Sequence, residues 1–111
     1  EEAEYGYRRA FELGDSTIET YIYWADSLKY LGDYKIAIEA LLLGIENHPE
    51  HYQIEYRLAG LYYTLNQTKK AKFHLVNALK SNFKNQTIIK NSFPLVWDKK
   101  SVQKIIKNFN S

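Results

Sequence analysis

The sequence predicts an all-α fold, an α-solenoid in which pairs of antiparallel helices stack on one another. The first observation is that the 111-residue chain matches itself at a shift of 34 residues. Small residues meet small ones, as at Ala3, Ala37 and Ala71, and large apolar residues meet large apolar ones, as at Tyr7 and Leu41. The second observation is that apolar residues recur at helical spacing within each 34-residue unit. Such a period is typical of helical repeat arrays, whose units cannot bury their apolar faces alone.

The first complete unit, residues 18–51, predicts two helices. Ser16 and Glu19 have the spacing of a capping box, and apolar residues follow at helical spacing as far as Leu31. Gly32 supplies the left-handed residue that ends this helix. Asp33 then caps a second helix over about 34–47, which closes before Pro49.

The second complete unit, residues 52–85, repeats this order. Asn66 replaces the glycine between the helices, since asparagine also tolerates positive φ, and Thr68 is the predicted cap of a helix over 69–81. Ala25 and Ala59 stand where the two helices of each unit are expected to cross. Further small residues recur where the second helices meet their neighbours, at Ala37, Gly44, Ala71 and Ala78.

The two ends of the chain depart from the repeat. Residues 2–14 match the second helix of a unit that lacks its first, so we expect either an array cut at this point, which we favour, or a lone capping helix. Residues 86–111 predict a degenerate repeat, because Phe93 fills a small position and Pro94 breaks the helix. Asp98 is then expected to cap an amphipathic helix that covers the last repeat, with its apolar face formed by Val102, Ile105, Ile106 and Phe109.

The repeat resembles the tetratricopeptide repeat (TPR), whose pattern is W-x2-L-G-x2-Y, then A-x3-F, then P. The matching residues are Tyr21, Trp24, Ala25, Leu28, Ala37, Leu41 and Pro49 in the first unit, and Glu55, Leu58, Ala59, Tyr62, Ala71, Leu75 and Phe83 in the second. Glu55 lacks the first aromatic, alanine replaces glycine at both crossings, and Phe83 replaces the proline. The resemblance covers about residues 2–85 and implies a right-handed stack.

The resemblance also implies a concave groove lined by the first helix of each unit, in which a peptide or partner helix binds. It places the contacts on Glu19, Ile22, Tyr23, Asp26, Lys29 and Tyr30, and one unit later on Gln53, Tyr56, Arg57, Gly60, Tyr63 and Thr64. Four of these are tyrosines, a residue type enriched at binding sites. The alternative is that these rings pack on further repeats. The family's carboxylate clamp for chaperone peptides is not expected, because of these positions only Arg57 suits it.

Charge is distributed unevenly along the chain. Residues 1–65 carry twelve of the thirteen acidic residues and five basic ones, a net charge of −7, whereas residues 66–111 carry ten lysines and Asp98, a net charge of +9. A lysine-rich surface can bind phosphate or nucleic acid. It is more often a solvated helix face, and no recognition motif accompanies it, so nucleic acid is not the expected partner. Homo-association between an acidic and a basic end is an alternative use, since the edges of repeat arrays are unfinished.

Composition excludes several other functions. Cysteine is absent, so no disulfide or zinc-thiolate site can form, which fits a reducing compartment and favours a cytoplasmic location. The longest apolar run, 40–43, is far shorter than the ~20 residues that cross a bilayer. His48, His51 and His74 lack the spacing of a metal site and are expected on the surface. No catalytic motif is present.

Two hypotheses follow. The first is a non-enzymatic protein-interaction module without cofactor or metal, which binds a peptide or partner helix in the groove. The second is a structural segment of a longer repeat scaffold that associates through its open N-terminal edge.

Overall fold

The computed structural model describes residues 17–109, which form seven α-helices, one 3-10 segment and no β-strand. The all-α prediction is therefore confirmed for this part of the chain. The helix predicted over 2–14 and the Ser16 cap lie outside the described residues. The helices are α1 (Ile18–Tyr30), α2 (Tyr34–Asn47), α3 (Tyr52–Thr64), α4 (Thr68–Ser81), α5 (Thr87–Ser92), α6 (Pro94–Trp97) and α7 (Lys100–Phe109), with the 3-10 segment at Phe83–Gln86.

Helix positions follow the sequence period. The starts of α1 and α3 differ by 34 residues, as do those of α2 and α4, and the lengths are 13 residues for α1 and α3 and 14 for α2 and α4. The chain divides into two compact units, Glu1–Pro49 and Glu50–Ser111, and each contains one of these helix pairs.

In the first unit, α1 and α2 pack on each other as a helical hairpin. Gly32 has the predicted left-handed conformation, with φ of 83°. The carbonyl of Asp33 accepts the first hydrogen bond of α2, from the Ala37 N–H. Asn47, the last residue of α2, donates to the hydroxyl of Tyr21 near the start of α1, at 2.7 Å. Because the end of one helix meets the start of the other, the pair is antiparallel.

In the second unit, α3 and α4 form the same kind of hairpin. Asn66 has a φ of 60°, which confirms that it replaces glycine in the turn. Thr68 is not the cap that the sequence predicted, because α4 begins one residue earlier and Gln67 occupies the N-cap position. The small residues of both units are buried, at Ala25, Ala37, Gly44, Ala59, Ala71 and Ala78.

Beyond α4 the second unit departs from the repeat. Helix α5 starts at Thr87 and has only six residues, and Pro94 begins α6, so the predicted break is present. The predicted cap at Asp98 is wrong by one residue, because the Lys99 carbonyl accepts the first hydrogen bond of α7, from Gln103. Helix α5 packs on α3, and α7 packs on α4 and α6 while burying Val102 and Ile106.

Candidate functional site

Four of the predicted contact residues lie on one face of α1, which we call the α1 stripe: Glu19, Tyr23, Asp26 and Tyr30. Their spacing of four, three and four residues returns to the same side of a helix. Tyr23 is 56% exposed and Tyr30 is 85% exposed. Ile22, which was predicted to join them, is instead buried within the structure.

The α1 stripe combines exposed aromatic rings with carboxylates. Glu19 is exposed and Asp26 is partly exposed, and both lie between or beside the two tyrosines. The ammonium of Lys29 lies 5.2 Å from the centre of the Tyr30 ring, in the range of a cation–π contact. A tyrosine ring can be buried against an apolar partner while its hydroxyl still makes a hydrogen bond. Tyrosine therefore suits a surface that is solvated in the free protein and buried in a complex.

The equivalent residues of α3, one 34-residue period later, already make contacts inside the second unit. The Arg57 guanidinium donates to the Gln53 carbonyl at 3.1 Å, and the Thr64 hydroxyl donates to the Gly60 carbonyl at 2.8 Å. The ring of Phe93 packs directly on Gly60, so closely that a Cβ at residue 60 would overlap it. This face of α3 is therefore partly covered by the chain's own side chains.

Two predicted tyrosines of α3 are buried. Tyr56 is fully enclosed, and its hydroxyl donates to the Asn82 carbonyl at 2.7 Å, just beyond α4. Desolvation by burial raises the pKa of Tyr56 from 10.0 to about 12. Burial also raises the pKa of Tyr63, which is 4% exposed. The Tyr56 hydroxyl therefore links α3 to the residue that follows α4.

A largely buried polar pair that the sequence did not predict joins α3 to α4. Glu55 is only 3% exposed, and its carboxylate lies 2.6 Å from Nδ1 of His74, whose side chain is 13% exposed. Tyr62 stacks on the His74 ring, with 5.5 Å between the two ring centroids. The ammonium of Lys70 lies 5.7 Å from the centre of the same Tyr62 ring. The expectation that His74 lies on the surface is therefore wrong. Buried polar groups need such partners, so this pair specifies how the two helices meet.

The other two histidines lie in different units. His51 occupies the N-cap of α3, where its Nδ1 accepts from the Gln53 N–H at 3.2 Å. His48 makes an edge contact with the Tyr21 ring, with centroids 6.1 Å apart. Over residues 17–109, no group of three or more His, Asp or Glu side chains could hold a metal ion. In the same range no helix has the length and apolar character needed to cross a bilayer.

Comparison with known proteins gives no match, whether with protein-family models, with curated proteins or with solved structures.

Proposed function

We propose that this chain is a non-enzymatic protein-interaction module of the TPR type, in which the α1 stripe contacts a peptide or a helix of the partner protein. The observation that carries the proposal is the exposure of Tyr23 and Tyr30 on one face of a helix whose opposite face is buried. Tyrosine is among the residues that contribute most to protein interfaces. The two tyrosines lie two helical turns apart on the same face, with Asp26 between them.

The recurrence of the helix pairs supports the solenoid arrangement that we propose with it. Both hairpins have the same helix lengths, and both connecting turns contain a residue with positive φ, Gly32 in one and Asn66 in the other. In a solenoid of this kind, first helices line the concave side. We therefore propose that α1 contributes more than α3, since Phe93 covers part of the equivalent face of α3.

The charge of the α1 stripe indicates the chemistry of the partner. Glu19 and Asp26 place two carboxylates beside the exposed rings, and residues 1–65 carry a net charge of −7. A complementary partner segment presents basic residues together with apolar ones, because charge complementarity determines which partners associate. We propose a basic amphipathic peptide or helix.

Selection from a displayed peptide library tests this proposal. We expect peptides rich in lysine or arginine to be enriched on the wild-type chain, and the double variant Tyr23→Ala/Tyr30→Ala to bind them at least tenfold more weakly. Phe73→Ala is the matched control, because Phe73 is 62% exposed on α4 and lies outside the stripe. Peptides that bind the double variant as well as the wild type would show that the α1 stripe is not the binding surface.

A second candidate is the structural role in a longer repeat scaffold. It is favoured by Ile36 and Leu43, two exposed apolar residues seven positions apart on α2. If these residues associate with a further repeat or a second copy, the chain should dimerise at micromolar concentration. Sedimentation of the wild type and of the double variant Ile36→Glu/Leu43→Glu tests this candidate. A scaffold contact through α2 predicts a dimeric wild type and a monomeric double variant. Peptide binding should be the same in both, because the α1 stripe is unchanged.

A further inference from the structure

A cleft of about 410 Å³ lies within the second unit, between the end of α3, the start of α4 and α7. The residues that matter for its chemistry are Tyr63 on α3, Thr68, Lys69 and Lys72 on α4, and Ser101 and Lys104 on α7. Its volume falls within the range of small-ligand sites, about 300 to 1,000 Å³. The cleft therefore has room for an anionic group together with the molecule to which it is attached.

The cleft is strongly basic. Three lysines line it, no acidic residue does, and none of the three forms an ion pair with residues 17–109. Asp98 is the only acid after residue 65. Three neighbouring ammonium groups repel one another, so a bound anion would remove an unfavourable interaction as well as add favourable ones.

The start of α4, where Thr68 and Lys69 line the cleft, also carries backbone N–H donors. Ala71 is the first residue of α4 whose N–H donates a helical hydrogen bond, and its acceptor is the Gln67 carbonyl. The N–H groups of Thr68, Lys69 and Lys70 have no such acceptor, and the Gln67 side chain makes no capping bond. The first turn also lacks an acidic residue. Lysines at the positive end of a helix are electrostatically unfavourable, whereas an anion there is favourable.

The hydroxyl of Tyr63 is the second, independent feature that indicates a ligand. The side chain lines the cleft and is 4% exposed, yet its hydroxyl has no hydrogen-bond partner among the described residues. Because the side chain lines the cleft, we place its hydroxyl within reach of a ligand there. A tyrosine whose side chain is this buried usually has a hydrogen-bond partner for its hydroxyl. Tyr56, on the same helix, has one in Asn82.

We propose that this cleft binds a phosphate monoester, held by the three lysines, the free N–H groups at the start of α4 and the hydroxyl of Tyr63. A dianionic phosphate suits three positive charges and several donors better than a single carboxylate does. The organic part of the ester would occupy the rest of the cleft. This site goes beyond the proposed protein-binding surface and does not depend on it.

Titration of the isotope-labelled chain, followed by amide NMR, tests the site with three probes: inorganic phosphate, glucose phosphate and a phosphoserine peptide. We expect saturable shifts at residues 68–71 with all three, and none with the unphosphorylated peptide. Tighter binding of the phosphopeptide would identify a phosphorylated protein as the source, and tighter binding of the sugar phosphate would identify a small metabolite. The absence of saturable shifts, or binding of an oligonucleotide but of no monoester, would overturn the proposal.

Two triple variants of equal charge separate a built site from general attraction. Lys69→Gln/Lys72→Gln/Lys104→Gln should bind phosphate at least tenfold more weakly, whereas Lys84→Gln/Lys90→Gln/Lys107→Gln, outside the cleft, should change binding less than twofold. Equal losses in both would reject the site. Tyr63→Phe should weaken binding about tenfold, because it removes one hydrogen bond to a charged group. Unchanged affinity in this variant, with its unfolding temperature also unchanged, would exclude the hydroxyl from the site.

Discussion

Two buried tyrosines of α3 differ in what their hydroxyls contact, and this difference should be measurable as stability. The hydroxyl of Tyr56 donates to the Asn82 carbonyl at 2.7 Å, whereas the hydroxyl of Tyr63 has no partner among the described residues. Replacing each by phenylalanine removes one oxygen and keeps the ring. The pair of variants therefore isolates the contribution of one hydrogen bond.

The expected size follows from the environment of Tyr56. Its side chain is fully buried and the bond is partly buried, so removal of the hydroxyl leaves the Asn82 carbonyl without its donor. A buried polar group left without a partner costs about 1 to 3 kcal/mol. We expect Tyr56→Phe to lower the free energy of unfolding by about that amount. Tyr63→Phe breaks no such bond and should stay within about 0.5 kcal/mol of the wild type.

Urea denaturation followed by circular dichroism measures both variants. The midpoint should fall for Tyr56→Phe while the slope of free energy against urea stays unchanged, which indicates a change in stability alone. Equal losses in the two variants, or a larger loss in Tyr63→Phe, would refute the reasoning from hydrogen-bond geometry.

The raised pKa of Tyr56 gives the same contact a pH dependence. The folded chain holds this proton to about pH 12, whereas the unfolded chain releases it near pH 10.0. The contribution is therefore complete below pH 10, and between the two values stability falls by about 1.4 kcal/mol per pH unit. We expect Tyr56→Phe to show a shallower loss over this interval. Some loss should remain, because burial also raises the pKa values of Tyr62 and Tyr63; parallel curves would contradict the assignment.

Three further predictions concern packing in the second unit, each measured by the same denaturation. Gly60→Ala should destabilise by about 1 to 3 kcal/mol despite alanine's better helix propensity, since the Cβ overlaps Phe93, and a stabilised variant would contradict this contact. Ala59→Leu should cost a similar amount, because residue 59 is fully buried, and unchanged stability would reject a tight helix crossing. Glu55→Ala should cost about 1 to 3 kcal/mol by leaving the His74 ring without its hydrogen-bond partner. The double variant Glu55→Tyr/His74→Ala has the residues of the first unit at these positions and should be more stable than Glu55→Ala. If the double variant lost as much stability as its two single variants together, the two side chains would not be energetically coupled.

The positions of the four repeat helices could be predicted because local signals and the period agree. The helix predicted over 34–47 has those bounds in the structure, and both turns have the predicted positive φ, at Gly32 and Asn66. The capping residues were less predictable. Gln67 and Lys99 occupy positions for which the sequence offered better side-chain caps one residue away, at Thr68 and Asp98. Differences of one or two residues at a helix end are ordinary, because helix ends fray.

The Glu55–His74 pair was missed because its members lie 19 residues apart and neither belongs to a motif. A signal was nonetheless present in the period. One unit earlier, Tyr21 and Ala40 occupy the equivalent positions, and both are buried and uncharged. At these two positions the second unit has polar residues instead. Because a buried polar residue needs a partner, the two replacements together predict that Glu55 and His74 contact each other.

The end of the repeat pattern and the location of the proposed binding surface have one structural cause. Phe93 stands two periods after Ala25 and one after Ala59, where the repeat requires a small residue. Its ring is accommodated because residue 60 is glycine, whereas α1 carries Asp26 at the corresponding position. The large residue Phe93 thus occurs together with a glycine that makes room for its ring, and part of the face of α3 is covered. For this reason we expect partner contacts to concentrate on α1.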